Sequence, residues 1–145
     1  MRELRTEIQI SAPIDKVWQV ITDFDHWKDW NPTVNRASGN ASVGSKLSIT
    51  ICGEDCQDAG SFQPLVLEAN PPKYFRWRAT MMAGFLFKND RIFELNEKNG
   101  GTELIHSEEY SGLMVPLAWK KLNKFALPIL EKMNKALKDK LEASS

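Results

Sequence analysis

The alternation of hydrophobic and polar positions changes period along the chain, and each change marks an element. Leu4-Arg5-Thr6-Glu7-Ile8-Gln9-Ile10 alternates apolar and polar, which predicts a strand with one buried face. Ser11-Ala12-Pro13 then opens a helix, with a small polar residue near the cap and a proline in the first turn, where its missing N–H is no loss. Ile14, Val17, Trp18 and Ile21 follow at helical spacing and form one apolar stripe. Thr22-Asp23 breaks that stripe and caps a second short helix, on which Phe24, Trp27 and Trp30 recur before Asn31-Pro32 ends it.

From Val43 to Tyr110 the pattern is that of five strands separated by turn residues. In the first, Leu47, Ile49 and Ile51 point one way and Lys46, Ser48 and Thr50 the other. Ser61 to Ala69 is the second, closed by Asn70-Pro71-Pro72, and Tyr74 to Met82 is the third, followed by Ala83-Gly84. Lys88 to Glu97 is the fourth, and Asn99-Gly100-Gly101 predicts a tight hairpin, because glycine takes positive φ freely. Thr102 to Tyr110 is the fifth, ending at Ser111-Gly112. The remainder reads as one long helix with Trp119, Leu122, Ala126, Ile129, Met133, Leu137 and Leu141 on one face and lysines on the other. Pro128 falls inside it and predicts a kink. Consecutive hairpins imply an antiparallel sheet, whose concave face the long helix must cover. The fold class is therefore α+β.

Composition changes this picture little. At 145 residues, 42% hydrophobic and 26% charged, the chain reads as one domain over 1–145, able to bury roughly two-thirds of its unfolded surface. Formal charge is zero, so no global field points to nucleic acid. The balance is uneven, however. From Pro116 onward seven lysines face Glu131, Asp139 and Glu142, a surplus of four. No signal-like or membrane-spanning run is present, and a cytoplasmic location without stable membrane insertion is the expectation. Cys52 and Cys56 are expected to be free thiols, their role open; no histidine lies near enough to complete a metal site.

Candidate chemistry is sparse. His26 and His106 are the only histidines and neither stands beside a cysteine, so no nucleophile–base triad is signalled. Neither a dinucleotide fingerprint nor a Walker pattern occurs, and no cofactor is expected. On the third strand Phe75, Trp77 and Ala79 share a face opposite Arg76 and Arg78; arginines prefer water, so the aromatic face points inward. On the fourth, Arg91, Phe93 and Leu95 share a face. On the fifth, Leu104, His106, Glu108 and Tyr110 oppose Glu103, Ile105, Ser107 and Glu109, and neither face is clearly apolar.

Local sequence resolves part of that ambiguity through resemblance. Ile8-Gln9-Ile10-Ser11-Ala12-Pro13 with Val17-Trp18, Asp23-Phe24 with Trp30-Asn31-Pro32, Val43-Gly44 and Pro71-Pro72 all resemble the polyketide cyclase/dehydrase-like branch of the START-related helix-grip superfamily (SRPBCC). So do Phe75-Arg76-Trp77-Arg78, Phe93-Glu94-Leu95, Gly101-Thr102, Glu108 to Gly112, and Asn134 to Lys138. The resemblance implies a curved antiparallel sheet of six to seven strands wrapped around a long C-terminal helix, with an apolar cavity between them. It places Leu104 and Tyr110 inward, and His106 and Glu108 with them. A histidine and a carboxylate two apart on one strand lie side by side, within reach of a shared proton or a polar ligand group.

The resulting expectation is binding or transport of a hydrophobic or amphipathic small molecule, a lipid or polyketide for example. Phe75, Trp77, Arg91, Phe93, His106, Glu108 and Tyr110 would line the site, with Leu122, Ile129 and Met133 as its lid. Trp27, Trp30 and Phe85-Leu86-Phe87 are candidates for the rim. A cyclase/dehydratase using His106 and Glu108 as acid and base is the first alternative, with binding without turnover preferred. A chaperone-associated interaction domain is the second, and would show a filled interior and an outer apolar patch. Monomer and homodimer both stay open.

Overall fold

The computed structural model of the protein describes residues 1–81 and 84–143, so the Met82 and Ala83 assignments lie outside the described residues. Eight strands and two α-helices run in the order β1 (Arg2–Ile10), α1 (Ile14–Thr22), β2 (Val34–Ser38), β3 (Ser48–Cys52), β4 (Asp58–Phe62), β5 (Leu65–Asn70), β6 (Tyr74–Met81), β7 (Phe87–Lys98), β8 (Gly101–Ser111) and α2 (Val115–Ala143). The second short helix is a 3-10 helix, Phe24–Asp29, rather than an α-helix. Pro13 is itself the cap of α1, and Asp23 caps the 3-10 helix without a side-chain bond to its backbone. The Asp23 carboxylate pairs instead with His26 Nδ1 at 2.9 Å.

The strands form a five-stranded antiparallel sheet, β1-β8-β7-β6-β5, and a three-stranded one, β2-β3-β4. A bridge between Lys46 and Leu65 and backbone bonds from Leu47 to Pro64 and from Val66 to Ser45 join the two. The helix-grip expectation holds, with one strand more than the range predicted. Val34–Ser38 is the strand that the alternation did not signal, and the segment expected as one strand from Ser61 to Ala69 is two. Proline has no N–H for a ladder, and Pro64 sits at that break. Asn99 and Gly100 take positive φ, 54° and 78°, and turn β7 into β8 with Lys98 opposite Gly101.

The core divides in two. The larger cluster joins α1, the 3-10 helix and the middle of the sheet to the second half of α2 through Val17, Ile21, Phe24, Trp27, Phe75, Trp77, Phe93, Met133 and Leu137. Its rings interlock, with centroids 5.1 Å apart for Phe24–Trp27, 5.9 Å for Trp27–Trp77 and 6.0 Å for Trp77–Phe93. Trp27 is therefore core rather than rim, its indole N–H satisfied by the Ile21 carbonyl at 2.9 Å. The smaller cluster holds Leu4, Tyr110, Val115, Ala126 and Leu130, flanked by the half-buried Phe87, Trp119, Leu122 and Leu127. Along α2 the inward face runs through Leu130 rather than Ile129, which is only half-buried.

Candidate functional site

Antiparallel register places inward side chains of adjacent strands in rows across the sheet. One row runs Leu4, Glu108, Arg91, Trp77 and Val66, from β1 through β8, β7 and β6 to β5. The next, toward the larger cluster, runs Thr6, His106, Phe93, Phe75 and Ala69. On the other side lies Arg2, Tyr110, Asn89 and Ala79. Polar side chains thus cross the interior as a belt between the two apolar clusters, and His106, Glu108 and Tyr110 are all buried.

Within this belt His106 and Glu108 are neighbours with separate partners: among the described residues no hydrogen bond joins them. Glu108 accepts from the Arg91 guanidinium at 3.3 Å and lies against the Tyr110 hydroxyl. Arg91 in turn sits over the Trp77 ring, 5.3 Å from its centroid. Burial, and then the nearby Glu108 carboxylate, push the Tyr110 phenol well above its ordinary range, so it stays protonated as a donor.

His106 belongs to a closed hydrogen-bonded ring. The Thr6 hydroxyl donates to the His106 backbone carbonyl at 2.6 Å, and Asn134 Nδ2 donates to that hydroxyl at 2.8 Å. Asn134 Oδ1 is therefore the acceptor left for His106 Nδ1, 2.7 Å away, which makes Nδ1 the protonated nitrogen. Nε2 then carries the lone pair. The imidazole is stacked on Phe93, centroids 4.4 Å apart. Desolvation by burial, reinforced by the Arg91 charge, lowers its pKa from 6.5 to about 3 against the opposing Asn134 bond, so it is neutral near pH 7. His106 Nε2, Arg91 Nε and Asn89 Nδ2 are buried without a hydrogen-bond partner. Such groups are scarce in folded proteins because each costs about 1–3 kcal/mol.

The outer face of the same strands carries a different set. Asp90 accepts from Arg76 at 2.6 and 2.8 Å and from Arg78 at 2.7 and 3.0 Å, and Arg76 also reaches Glu109 at 3.2 Å. Burial raises the Asp90 pKa, but the two guanidiniums outweigh it and hold the carboxyl below its ordinary value. This is a strand-tying network, and it leaves the concave face to the other polar groups.

Of the remaining sequence candidates, Phe75, Trp77, Phe93 and Met133 are fully buried in the larger cluster, while Leu122 and Ile129 are half-buried on α2. The structure places Trp30 and Phe87 half-buried and Phe85 exposed. Sequence reasoning missed Thr6 and Asn134 as site residues. Asn134 falls on the inward, apolar stripe of α2, one residue after Met133, and that polar interruption is the signal that was available. Two open grooves lie among the described residues. One of about 330 Å³ follows the β1–α2 seam over Thr6, Ile8, Glu131 and Asn134; one of about 350 Å³ lies beside the 3-10 helix, at Asp23, His26 and Trp30. Cys52 and Cys56 are free, and a hydrogen bond from the Cys52 thiol to Cys56, more than burial, raises the Cys52 pKa.

Comparison with known families matches residues 1–142 to the family described as polyketide cyclase / dehydrase and lipid transport. The chain belongs to this family. No curated protein matches this member of it. Among solved structures, it is similar to a START superfamily protein from Mycobacterium smegmatis, at 18% identity and a TM-score of 0.77, with 99% of each chain covered. It is also similar to the di-domain ARO/CYC protein StfQ of the steffimycin biosynthetic pathway, at 12% identity and TM-score 0.80, covering 98% of this chain and 51% of that one. The Aha1 dimer from Colwellia psychrerythraea matches at 23% identity and TM-score 0.69, over 98% and 97% of the two chains. These likenesses show the fold alone, an antiparallel sheet with a long C-terminal helix.

Proposed function

We propose that this family member binds a hydrophobic or amphipathic small molecule against the polar belt, under the first half of α2. The observation that supports this is the set of unpartnered buried atoms, His106 Nε2, Arg91 Nε and Asn89 Nδ2, on the inward side of the sheet. A packed core gains nothing from them, whereas a ligand with a donor and an acceptor among apolar atoms would satisfy them. The Nε2 lone pair accepts from a hydroxyl of the ligand, while Arg91 and the Tyr110 phenol donate to its carbonyl or carboxylate. Trp77, Phe93, Leu122, Leu130 and Met133 supply the apolar wall, with Phe75 behind it. Space comes from movement of α2 before Pro128, where the missing N–H leaves the Lys124 carbonyl without its helical partner and bending is cheapest.

The test is mass spectrometry of protein purified without denaturation. Wild type should carry an apolar molecule that Arg91→Met no longer retains and Lys140→Gln does. If wild type carries none, and titration with an apolar fluorescent probe gives no saturable binding, the reading falls.

Two other readings have a specific observation each. The unpartnered Nε2 would face a bound ligand, so a cyclase or dehydratase step would run through His106, with Glu108 held by Arg91 as a charge partner. A pKa lowered to about 3 nevertheless makes this imidazole a weak base at neutral pH. His106→Gln would then abolish turnover and leave binding largely intact. The filled larger cluster and an outer apolar patch are what a protein-interaction role requires. That role leaves the polar belt unexplained, and for that reason ligand binding is the preferred reading.

A further inference from the structure

One end of the molecule carries large apolar side chains on its surface. Leu117 is 83% exposed, Leu113 71%, Phe85 67% and Phe125 65%. They form one surface. The backbone N–H of Leu113 donates to the Phe85 carbonyl, and that of Met114 to the Leu86 carbonyl, which fixes the β6–β7 turn against the start of α2. Gly112 makes this approach possible: at φ 121°, an added Cβ would run into the Leu86 carbonyl. On α2, Leu117, Lys121 and Phe125 follow at four-residue steps and share the outward side of the helix.

Charge distinguishes this patch from a generic sticky surface. From Tyr110 to Leu130 the chain contains no Asp or Glu and three lysines, Lys120, Lys121 and Lys124, all exposed among the apolar side chains. Arg2 lies at the same end, 5.6 Å above the Trp119 ring. Protruding apolar side chains interleaved with lysines match the boundary between acyl chains and acidic headgroups. Protein–protein interfaces are depleted in lysine, so the three lysines favour a lipid surface over a protein partner. No helix among the described residues is long and apolar enough to cross a membrane, so the contact would be peripheral.

We propose that this end of the protein, Phe85, Leu113, Leu117 and Phe125 with Lys120, Lys121 and Lys124, docks reversibly on the surface of an anionic phospholipid bilayer. The apolar side chains enter the headgroup boundary while the lysine ammoniums stay at headgroup level. The proposal rests on exposure and charge and stands whether or not the interior takes a ligand.

Co-sedimentation with vesicles tests it, comparing phosphatidylcholine alone with phosphatidylcholine plus phosphatidylglycerol at low salt. Wild type should partition onto the mixed vesicles and be released by salt. Replacing the three lysines (Lys120→Gln, Lys121→Gln, Lys124→Gln) should weaken partitioning roughly a hundredfold. Leu117→Asp with Phe125→Asp should abolish it. Arg91→Met should sediment like wild type, which separates docking from ligand binding. Four outcomes would overturn the proposal. In the first three, wild type remains in the supernatant, binds both vesicle types equally, or matches the lysine and aspartate variants. In the fourth, light scattering shows a dimer that the Leu117/Phe125 pair dissolves while vesicle binding is absent, which would make the patch an interface between copies.

Discussion

The two halves of α2 meet very different surroundings. After Pro128 the helix buries Leu130, Met133, Asn134, Leu137 and Leu141, mostly against interlocked rings; before it, only Val115 and Ala126 are fully buried. The same sheet underlies both. At one end Trp27, Trp77, Phe75 and Phe93 fill the space with fully buried rings, and at the other the rings Phe87 and Trp119 and the side chains Leu122 and Leu127 are only half-buried around Tyr110. One end therefore holds the fold together and the other is inexpensive to rearrange, with the unpartnered polar atoms on the boundary between them.

Substitutions should expose that asymmetry. Trp77→Ala removes a buried indole from the ring cluster and should cost about 3–5 kcal/mol in denaturant unfolding, whereas Leu122→Ala, half-buried at the other end, should cost about 1 kcal/mol. Equal losses would mean that the two ends are equally packed.

Acid probes the boundary. The His106 pKa is depressed to about 3 from 6.5, so below 6.5 the unfolded chain takes up a proton that the native state refuses. Stability should fall as pH drops from 6.5 toward 3, by about 2 kcal/mol at pH 5, and His106→Gln should flatten that slope. Asp90, also depressed, adds its loss only below its ordinary value of 3.8, so the two windows separate in a pH series of melts. The smallest effect concerns the hinge. Pro128→Ala restores a donor for the Lys124 carbonyl and should stabilise the protein by about 1 kcal/mol while slowing probe exchange. Faster exchange would place the moving element elsewhere.

Most of the architecture was legible because strand alternation and the long helix stripe are strong signals. Val34–Ser38 was not, since only Val34 and Ala37 are buried and the inward positions follow no two-residue period, the ladder having a register shift between Val34 and Arg36. Ser61–Ala69 read as one strand because its composition is uniform across the Gln63-Pro64 break. Leu130 was displaced by Ile129 in the reading because both fit a helical stripe, and only the helix's seating on the sheet selects between them. At the site, the third-strand face was readable from Arg76 and Arg78. The fifth strand was not: Ile105 and Ser107 are buried as well as His106 and Glu108, so burial on both faces erased the alternation. The partners of His106 come from β1 and α2, more than a hundred and twenty positions apart, beyond the reach of any local pattern.

That ring has a consequence for how the chain is made. Thr6 is made before its partners, the carbonyl on residue 106 and the amide on residue 134, which follow 100 and 128 positions later. Lys138 and Glu142 likewise reach back to Gln9 and Ser11. The first strand therefore waits, unpaired, until β8 and α2 have been made, and the fold closes by joining β1 to those two late elements.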